Sequence, residues 1–256
     1  MSLYKGGLLS GLTYSGFGNY ALVWKSSLFV QAVKNTAFYA VLAVPAALVL
    51  SLVTAVLTDR LPGRLQSFVR ASLFLPLISS AVALSIIWQA LLTPGADGPV
   101  NWLFGLIGVP PQNWLGDPDL VIPSIVAFEV WRGYGFWVIV FMAGLAAIPE
   151  ELYDAAHVDG ASAWQAFAHI TLPQLKPTFL FLTVMGVIWN FQLFDAVFML
   201  TSGGPANRSI SIVYYVYRNA FHFDNLGFAA TMSVLLFAVV MLFTLLQLRI
   251  SRDSDE

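Results

Sequence analysis

Hydrophobic and polar positions alternate along this chain in long blocks, not with a short period. Five predominantly apolar runs occupy residues 35–58, 71–92, 120–145, 179–200 and 228–248. Each run has about the 20 residues that an α-helix needs to cross a bilayer. The pattern therefore predicts an all-α, polytopic transmembrane helix bundle with about five spans.

Residues 1–34 precede the first apolar run and contain no stretch long enough to cross a membrane. Aromatic residues are scattered through this part of the chain, as is typical of segments at a membrane–water interface. We interpret 1–34 as an external or interfacial N-terminal segment and 35–256 as the transmembrane domain.

One polar stretch, residues 148–177, separates the third and fourth runs and is patterned as two short helices. Pro149 suits the first helical position, and Glu150 and Glu151 suit a first turn, where the helix dipole favours carboxylates. Asp159-Gly160 predicts a break, and Ser162 with Gln165 predicts a capping box that starts the second helix. Leu172-Pro173 is expected to end the second helix.

The first of these helices carries small apolar side chains, Ala155 and Ala156, beside acidic ones. A ridge of small side chains fits the groove of another protein. The alternative is an amphipathic linker on lipid headgroups, but such helices carry Lys and Arg, and this stretch has only Lys176 beside its carboxylates. The pattern favours the docking interpretation.

Ionisable groups occur within the third run, at Glu129 and Arg132. Charges inside a span are costly and face a protein interior or a wet cavity. The spacing of three residues lets them pair on one helix face. They either neutralise each other for packing or line a substrate path or gate, and the sequence leaves both interpretations open.

The fourth run contains amides, a carboxylate and aromatic rings in close succession, namely Trp189, Asn190, Gln192, Phe194 and Asp195. Polar groups bond sugar hydroxyls and aromatic faces cover sugar C–H surfaces, so this set suits a carbohydrate path. Interhelical hydrogen bonding in a membrane bundle explains the same residues equally well.

Composition agrees with a membrane protein and excludes other classes. Charged residues make up 10% of the chain, against about 25% in soluble domains. The net charge of −2 and the lack of a basic tract speak against nucleic-acid binding, and the absence of cysteine excludes disulfides and thiolate metal sites. The three histidines lack metal-ligand spacing, so we expect no metal site.

Charge asymmetry between loops predicts the orientation. The loop 59–70 carries three arginines, whereas 93–119 carries no Lys or Arg. The positive-inside rule places the first loop in the cytoplasm and the second outside, and the parity of spans then places 148–177 in the cytoplasm.

Several motifs occur together in the polar stretch and around it. The segment Tyr153-Asp154-Ala155-Ala156, then Asp159-Gly160-Ala161 and Leu172-Pro173, resembles the "EAA" loop of the permeases of binding-protein-dependent ABC importers, with Asp154 in place of the leading Glu. Further similarity lies in Asp117-Pro118, Trp131-Arg132, FQLFD at 191–195 and LTSGGP at 200–205. The pattern is most similar to carbohydrate-uptake permeases of the maltose, lactose, trehalose and glycerol-3-phosphate systems.

The resemblance implies a permease subunit of an ATP-driven importer in a bacterial or archaeal inner membrane, with no cofactor of its own. ATP and Mg would belong to two cytoplasmic ATPase subunits, since this chain has no GxxxxGK[ST] loop. The other implied partners are a second homologous permease, the surrounding lipid, and an extracytoplasmic binding protein on loops 93–119 and 201–225. The implied ATPase-coupling residues are Glu151, Asp154, Ala155, Ala156, Asp159, Gly160, Ala161, Leu172 and Pro173.

Members of the family begin with one further span, so we expect this chain to lack the first transmembrane helix. Two other classes of protein are alternatives to a permease. A secondary transporter or channel would need a charged relay or inverted repeats, and a membrane-embedded enzyme would need paired catalytic residues at one depth. The sequence shows neither pattern, and a secondary transporter or channel would not need a docking loop.

Overall fold

The computed structural model describes residues 1–252, so the last four residues of the predicted domain 35–256 lie outside it. Helices dominate the described residues. In chain order they are α1 Gly18–Lys25, α2 Ser27–Asp59, α3 Gly63–Ile78, α4 Ala81–Leu91, α5 Pro99–Gly105, α6 Val121–Ala146, α7 Glu150–Val158, α8 Ala163–Ala166, α9 Leu172–Gln174, α10 Lys176–Phe191, α11 Asp195–Leu200, α12 Ile212–Tyr217 and α13 Leu226–Arg252. Two π-helical turns, Phe167–Thr171 and Arg218–His222, interrupt this order. The predicted all-α class is confirmed.

Three helices, α2, α6 and α13, are long and apolar enough to cross a membrane, and the number rises to five if each of two broken pairs counts as one span. The first predicted span began at residue 35, whereas α2 begins at Ser27 and includes Lys34. At about 1.5 Å per residue, its 33 residues extend about 50 Å. The hydrocarbon core needs only about 30 Å, which lets the polar first turns of α2 lie beyond it.

Two predicted spans are not continuous helices. The run 71–92 breaks between α3 and α4, where Ser80 caps α4 by accepting the Ala83 N–H over 3.5 Å. The run 179–200 ends its first helix at Phe191 and restarts at Asp195. Apolar length alone could not reveal either break, because both segments remain apolar on each side of it.

The chain divides into two compact units. The first comprises Met1–Ala43, Ser80–Glu129 and the chain from Val187 onward. A short antiparallel hairpin, β1 Tyr4–Gly7 with β2 Gly11–Tyr14, opens this unit and was not predicted. The Asn19 amide donates to the Tyr4 carbonyl over 2.7 Å, and the Thr231 hydroxyl donates to the Ser2 carbonyl over 3.1 Å. These bonds attach the N-terminal hairpin to α1 and to the start of α13.

Buried polar side chains on α2 hold the loop that precedes α12. The Asn35 amide donates to the carbonyls of Arg208 and Ile210 over 2.8 and 2.9 Å. The Tyr39 hydroxyl donates to the Ser209 carbonyl over 2.9 Å. Polar groups buried on a span cost free energy unless they are hydrogen-bonded, so these bonds both satisfy α2 and position the loop.

The second unit comprises Val44–Ser79 and Val130–Gly186. Within it, α6 and α10 pack closely, with the Phe141 and Phe179 rings edge to face at 4.9 Å between centroids. Gly144 permits the approach, because a Cβ there would lie 2.6 Å from the Thr178 Oγ1. The same unit carries the polar segment 148–177.

Candidate functional site

The segment 148–177 forms a helix, a tight turn and a second helix, as the sequence predicts. Glu150 and Glu151 occupy the first turn of α7, although Pro149 is the residue before the helix and not its first residue. Gly160 adopts a left-handed φ of 74°, and the Ala161 N–H donates to the Ala156 carbonyl over 2.9 Å. This turn closes α7 in a conformation that a residue with a side chain enters only with strain.

The second helix begins with the predicted capping box. The Ser162 hydroxyl accepts the Gln165 N–H over 3.4 Å, and the Gln165 side chain accepts the Ser162 N–H over 2.8 Å. Its predicted end at Leu172-Pro173 is wrong. The helix passes through the π-helical turn Phe167–Thr171 and continues to Gln174, where Ala163–Gln174 bends by 60° into α10.

A cross-link joins the two helices of this segment. The hydroxyls of Tyr153 on α7 and Thr171 in the π-helical turn lie 2.9 Å apart, and Thr171 is only 5% exposed. π-helical turns occur frequently at functional positions. The hydrogen bond connects the two helices of the segment directly.

The structure places all nine predicted coupling residues on this one segment. Six are exposed: Glu151, Asp154, Ala155, Asp159, Gly160 and Pro173. Three are half-buried: Ala156, Ala161 and Leu172. Two large apolar side chains beside them, Val158 and Trp164, are 88% and 73% exposed. Exposed apolar side chains of this size beside the turn mark a candidate contact surface.

The predicted path residues occupy two places. Glu129 and Arg132 lie on α6 with half-buried side chains, Glu129 in the first unit and Arg132 in the second. The others lie in the first unit, where Trp189 is 38% exposed, Asn190 is half-buried, and Gln192 and Asp195 are exposed. Gln192 lies in the connection between α10 and α11, and Asp195 lies in the first turn of α11. The exposed polar side chains of Gln192 and Asp195 thus lie at the break between α10 and α11.

Phe194 belongs to a cluster of aromatic rings in the first unit. Its ring stacks on Phe198 at 5.3 Å between centroids and meets Tyr217 edge to face at 5.1 Å. Tyr214 adjoins the same rings, 6.1 Å from Phe198. This cluster extends the aromatic character of the predicted path into α12, which sequence reasoning did not anticipate.

Sequence reasoning also missed a group of polar residues on the first turns of α2. Gln31, Lys34 and Asn35 recur at helical spacing, which places them on one face. That spacing was a usable signal. A boundary after residue 34 separates Gln31 and Lys34 from Asn35, which hides the pattern.

These features define a polytopic α-helical membrane protein of the transport class, with polar groups at helix breaks and an exposed polar helix pair. Residues 29–253 match the family described as binding-protein-dependent transport system inner membrane component, and the chain belongs to that family. It is therefore the permease subunit of an ABC importer, a multi-pass membrane protein, and not itself an enzyme. The resemblance seen in the sequence motifs is confirmed.

Two relatives show how far the similarity extends. The chain is 35% identical to the lactose transport system permease protein of Rhizobium radiobacter, over 99% of this chain and 86% of that protein. It is 32% identical to the trehalose/maltose transport system permease protein of Thermococcus litoralis, over 93% of this chain and 80% of that one.

A solved structure has the same fold. It is a bacterial alginate ABC transporter in complex with an alginate pentasaccharide-bound periplasmic protein. The TM-score is 0.84 at 25% identity, over 93% of this chain and 83% of that chain. The fold of nearly the whole chain is therefore that of an importer permease.

Proposed function

We propose that this permease forms, with a second homologous permease, the membrane path for a sugar or sugar-like solute of the oligosaccharide or glycerol-3-phosphate class. The names of its relatives support the sugar class, since they include permeases for lactose and for trehalose and maltose. A bacterial or archaeal inner membrane is the corresponding location. A secondary transporter or channel, the alternative considered from the sequence, would have no use for the exposed turn at 158–161.

Energy for transport comes, in this proposal, from two ATPase subunits that hold ATP and Mg and contact the segment 148–177. The observation that carries the proposal is the exposed, left-handed turn at Gly160 between two helices that a hydrogen bond joins. A segment that transmits a displacement must not deform, and the hydrogen bond between its two helices opposes deformation. When the ATPases close on ATP, the segment moves as a body and biases the permease between its two access states.

Substrate reaches the path, we propose, from an extracytoplasmic binding protein that docks on the loops 93–119 and 201–225. The family name includes dependence on a binding protein, and the alginate importer has been solved with its periplasmic protein. In the path, Gln192, Asn190 and Asp195 offer hydrogen bonds to hydroxyls, whereas Trp189 and Phe194 offer aromatic faces to C–H surfaces. Glu129 and Arg132 serve as a lining or gating pair on α6.

Replacing Gly160 with valine tests the coupling role. A β-branched residue at φ 74° is strained by about 1–3 kcal/mol, while the space around its Cβ is open, so the change acts on the turn alone. We expect sugar uptake to fall by about tenfold or more, since 1.4 kcal/mol corresponds to a factor of ten. ATP hydrolysis by the complex should persist and lose its dependence on substrate. Sugar uptake into proteoliposomes and the ATPase rate are measured on the same sample, and their ratio gives the sugar transported per ATP hydrolysed.

Gly16→Val is the matched control, because Gly16 also has a left-handed φ, of 53°, with open space around its Cβ, and it lies in the N-terminal segment, outside the proposed contact surfaces. Gln192→Ala should give the opposite pattern, with altered substrate affinity and intact coupling. Uptake and coupling that survive Gly160→Val unchanged would show that this turn does not transmit the motion.

A further inference from the structure

A cavity of about 470 Å³ opens in the first unit, between the beginnings of α2 and α6 and the loop before α12. It is separate from the predicted path residues, none of which lines it. Ligand pockets for small molecules have volumes of about 300–1,000 Å³. The cavity is lined by Gln31, Lys34, Asn35, Phe38, Pro118, Asp119, Ile122 and Arg208.

The charges that line this cavity are unbalanced. Lys34 and Arg208 are cationic and Asp119 is anionic, which leaves one net positive charge. Within residues 1–252, neither cation has a carboxylate oxygen within 4.0 Å. Unpaired cations lining a concave surface attract an anion, and the concave wall strengthens the attraction.

Hydrogen bonds of the buried Asn35 side chain hold the wall of the cavity in place. Asn35 is 4% exposed, and its amide fixes the backbone of Arg208 and Ile210 against α2. The Gln31 side chain donates to the Asn35 side-chain carbonyl over 2.8 Å. Because these bonds are internal, the backbone that carries the Arg208 side chain is ordered without a ligand.

We propose that this cavity binds a sugar acid, a hydroxyl-rich ligand that carries one carboxylate. Lys34 and Arg208 bind the carboxylate, and a single negative charge makes the occupied cavity neutral. The Asp119 carboxylate accepts hydrogen bonds from sugar hydroxyls, and the Gln31 amide donates hydrogen bonds to them. Phe38, which is 47% exposed, covers a C–H face of the sugar ring. A neutral sugar offers no negative charge to Lys34 and Arg208. A phosphate ester carries up to two negative charges, which exceeds the single net positive charge of the cavity.

The assignment deepens the proposed sugar transport and rests on it for the choice of ligand class. By the orientation proposed above, the site faces the extracytoplasmic side, where it would hold acidic sugars before they enter the path. Binding at this cavity does not itself require turnover, so it is measured separately from uptake.

Calorimetric titration of the importer in lipid nanodiscs tests the assignment, with D-glucuronate, D-glucose and glucose 6-phosphate as probes. We expect glucuronate to bind at least about tenfold more tightly than glucose, since a charge-assisted hydrogen bond has roughly that effect. Glucuronate should also bind more tightly than glucose 6-phosphate, because Asp119 repels the additional negative charge of the phosphate. Lys34→Gln and Arg208→Gln should each weaken glucuronate binding by about tenfold. Asp119→Asn raises the net charge by one and should shift the preference toward glucose 6-phosphate.

Lys25→Gln and Arg64→Gln are the matched controls, because both side chains are exposed and neither lines the cavity. Equal affinity for glucose and glucuronate, or glucuronate binding that survives both cavity variants, overturns the assignment. Acetate that binds as tightly as glucuronate also overturns it, because the cavity would then be a simple anion site. If the parent importer takes up no sugar although glucuronate still binds to the cavity, the proposed transport function is wrong and the binding assignment stands.

Discussion

Single residues hold distant parts of this chain together, and Asp224 is the clearest case. Its carboxylate accepts the Leu9 N–H over 3.1 Å, the Ser10 N–H over 2.9 Å and the Ser10 hydroxyl over 3.0 Å. The backbone hydrogen bond from Ser10 contributes most to lowering the pKa of this carboxyl below its ordinary 3.8. A carboxylate that accepts several hydrogen bonds is favoured in its charged form.

This lowered pKa predicts an acid-sensitive attachment of the N-terminal hairpin. A carboxyl whose pKa is lower in the folded state stabilises that state at pH values above the unfolded pKa. The contribution is lost as the pH falls below 3.8 and through the still lower folded pKa. We expect the Leu9 and Ser10 amides to lose protection from hydrogen exchange in that range, after correction for the intrinsic rate.

Asp224→Asn should remove most of that protection at neutral pH and most of its acid dependence. Asp97→Asn is the control, because Asp97 is exposed and makes no side-chain hydrogen bond within the described residues. Protection that is the same in Asp224→Asn and the parent at neutral pH would contradict the role of this carboxylate.

At the scale of elements, the important feature is how short helices are joined. The helices of 148–177 are too short to be stable alone, because an isolated helix of fewer than about 12 residues is marginal in water. The Gly160 turn, the Ser162 cap and the Tyr153–Thr171 hydrogen bond each stabilise them, together with the burial of Ile148 and Leu175. Local turn chemistry and longer-range contacts thus act together on this segment.

Tyr153→Phe tests that stiffness, because it removes the hydroxyl and leaves the Thr171 side chain buried without this partner. A lost hydrogen bond to a buried group costs about 1–3 kcal/mol. We expect faster hydrogen exchange in α7 and about a fivefold fall in sugar transported per ATP hydrolysed.

Tyr14→Phe is the matched control, since Tyr14 is 72% exposed and its hydroxyl makes no hydrogen bond within the described residues. An exchange rate in α7 that does not change in Tyr153→Phe would mean that the cross-link does not stiffen the segment.

At the scale of the whole molecule, sidedness decides which surfaces can meet which partners. The proposed orientation puts 148–177 in the cytoplasm and the segment 93–119 outside. The native chain contains no cysteine, so a single introduced thiol reports on one position. Val158 and Ile107 are suitable positions because they are 88% and 76% exposed.

We expect Val158→Cys to react with a membrane-impermeant maleimide only in inside-out vesicles and Ile107→Cys only in intact cells or right-side-out vesicles. The reason is that a charged reagent cannot cross the hydrocarbon core. Leu9→Cys, at a site 93% exposed in the first unit, serves as a second external reporter. Labelling of Val158→Cys from outside would invert the orientation and remove the basis for ATPase contact.

Much of the fold could be predicted from the sequence because the relevant signals are local. Apolar runs predict spans by their length, and Asp159-Gly160 and the Ser162–Gln165 pair predict the turn and the cap from neighbouring residues alone. The break before α4 left only the weak signal of a serine cap. The interruption between α10 and α11 depends on packing in the first unit, where the Ser211 hydroxyl donates to the Leu193 carbonyl over 2.6 Å.

The sequence by itself determined the class of protein, the approximate number of spans and the two-helix form of 148–177, because each of these follows from residues within a few turns of one another. Only the tertiary structure decided the cavity and the attachment of the N-terminal hairpin. Asn35 meets Arg208 across a sequence separation of 173, and Leu9 meets Asp224 across 215. Contacts of that range depend on how the helices pack, and no periodicity in the chain encodes them.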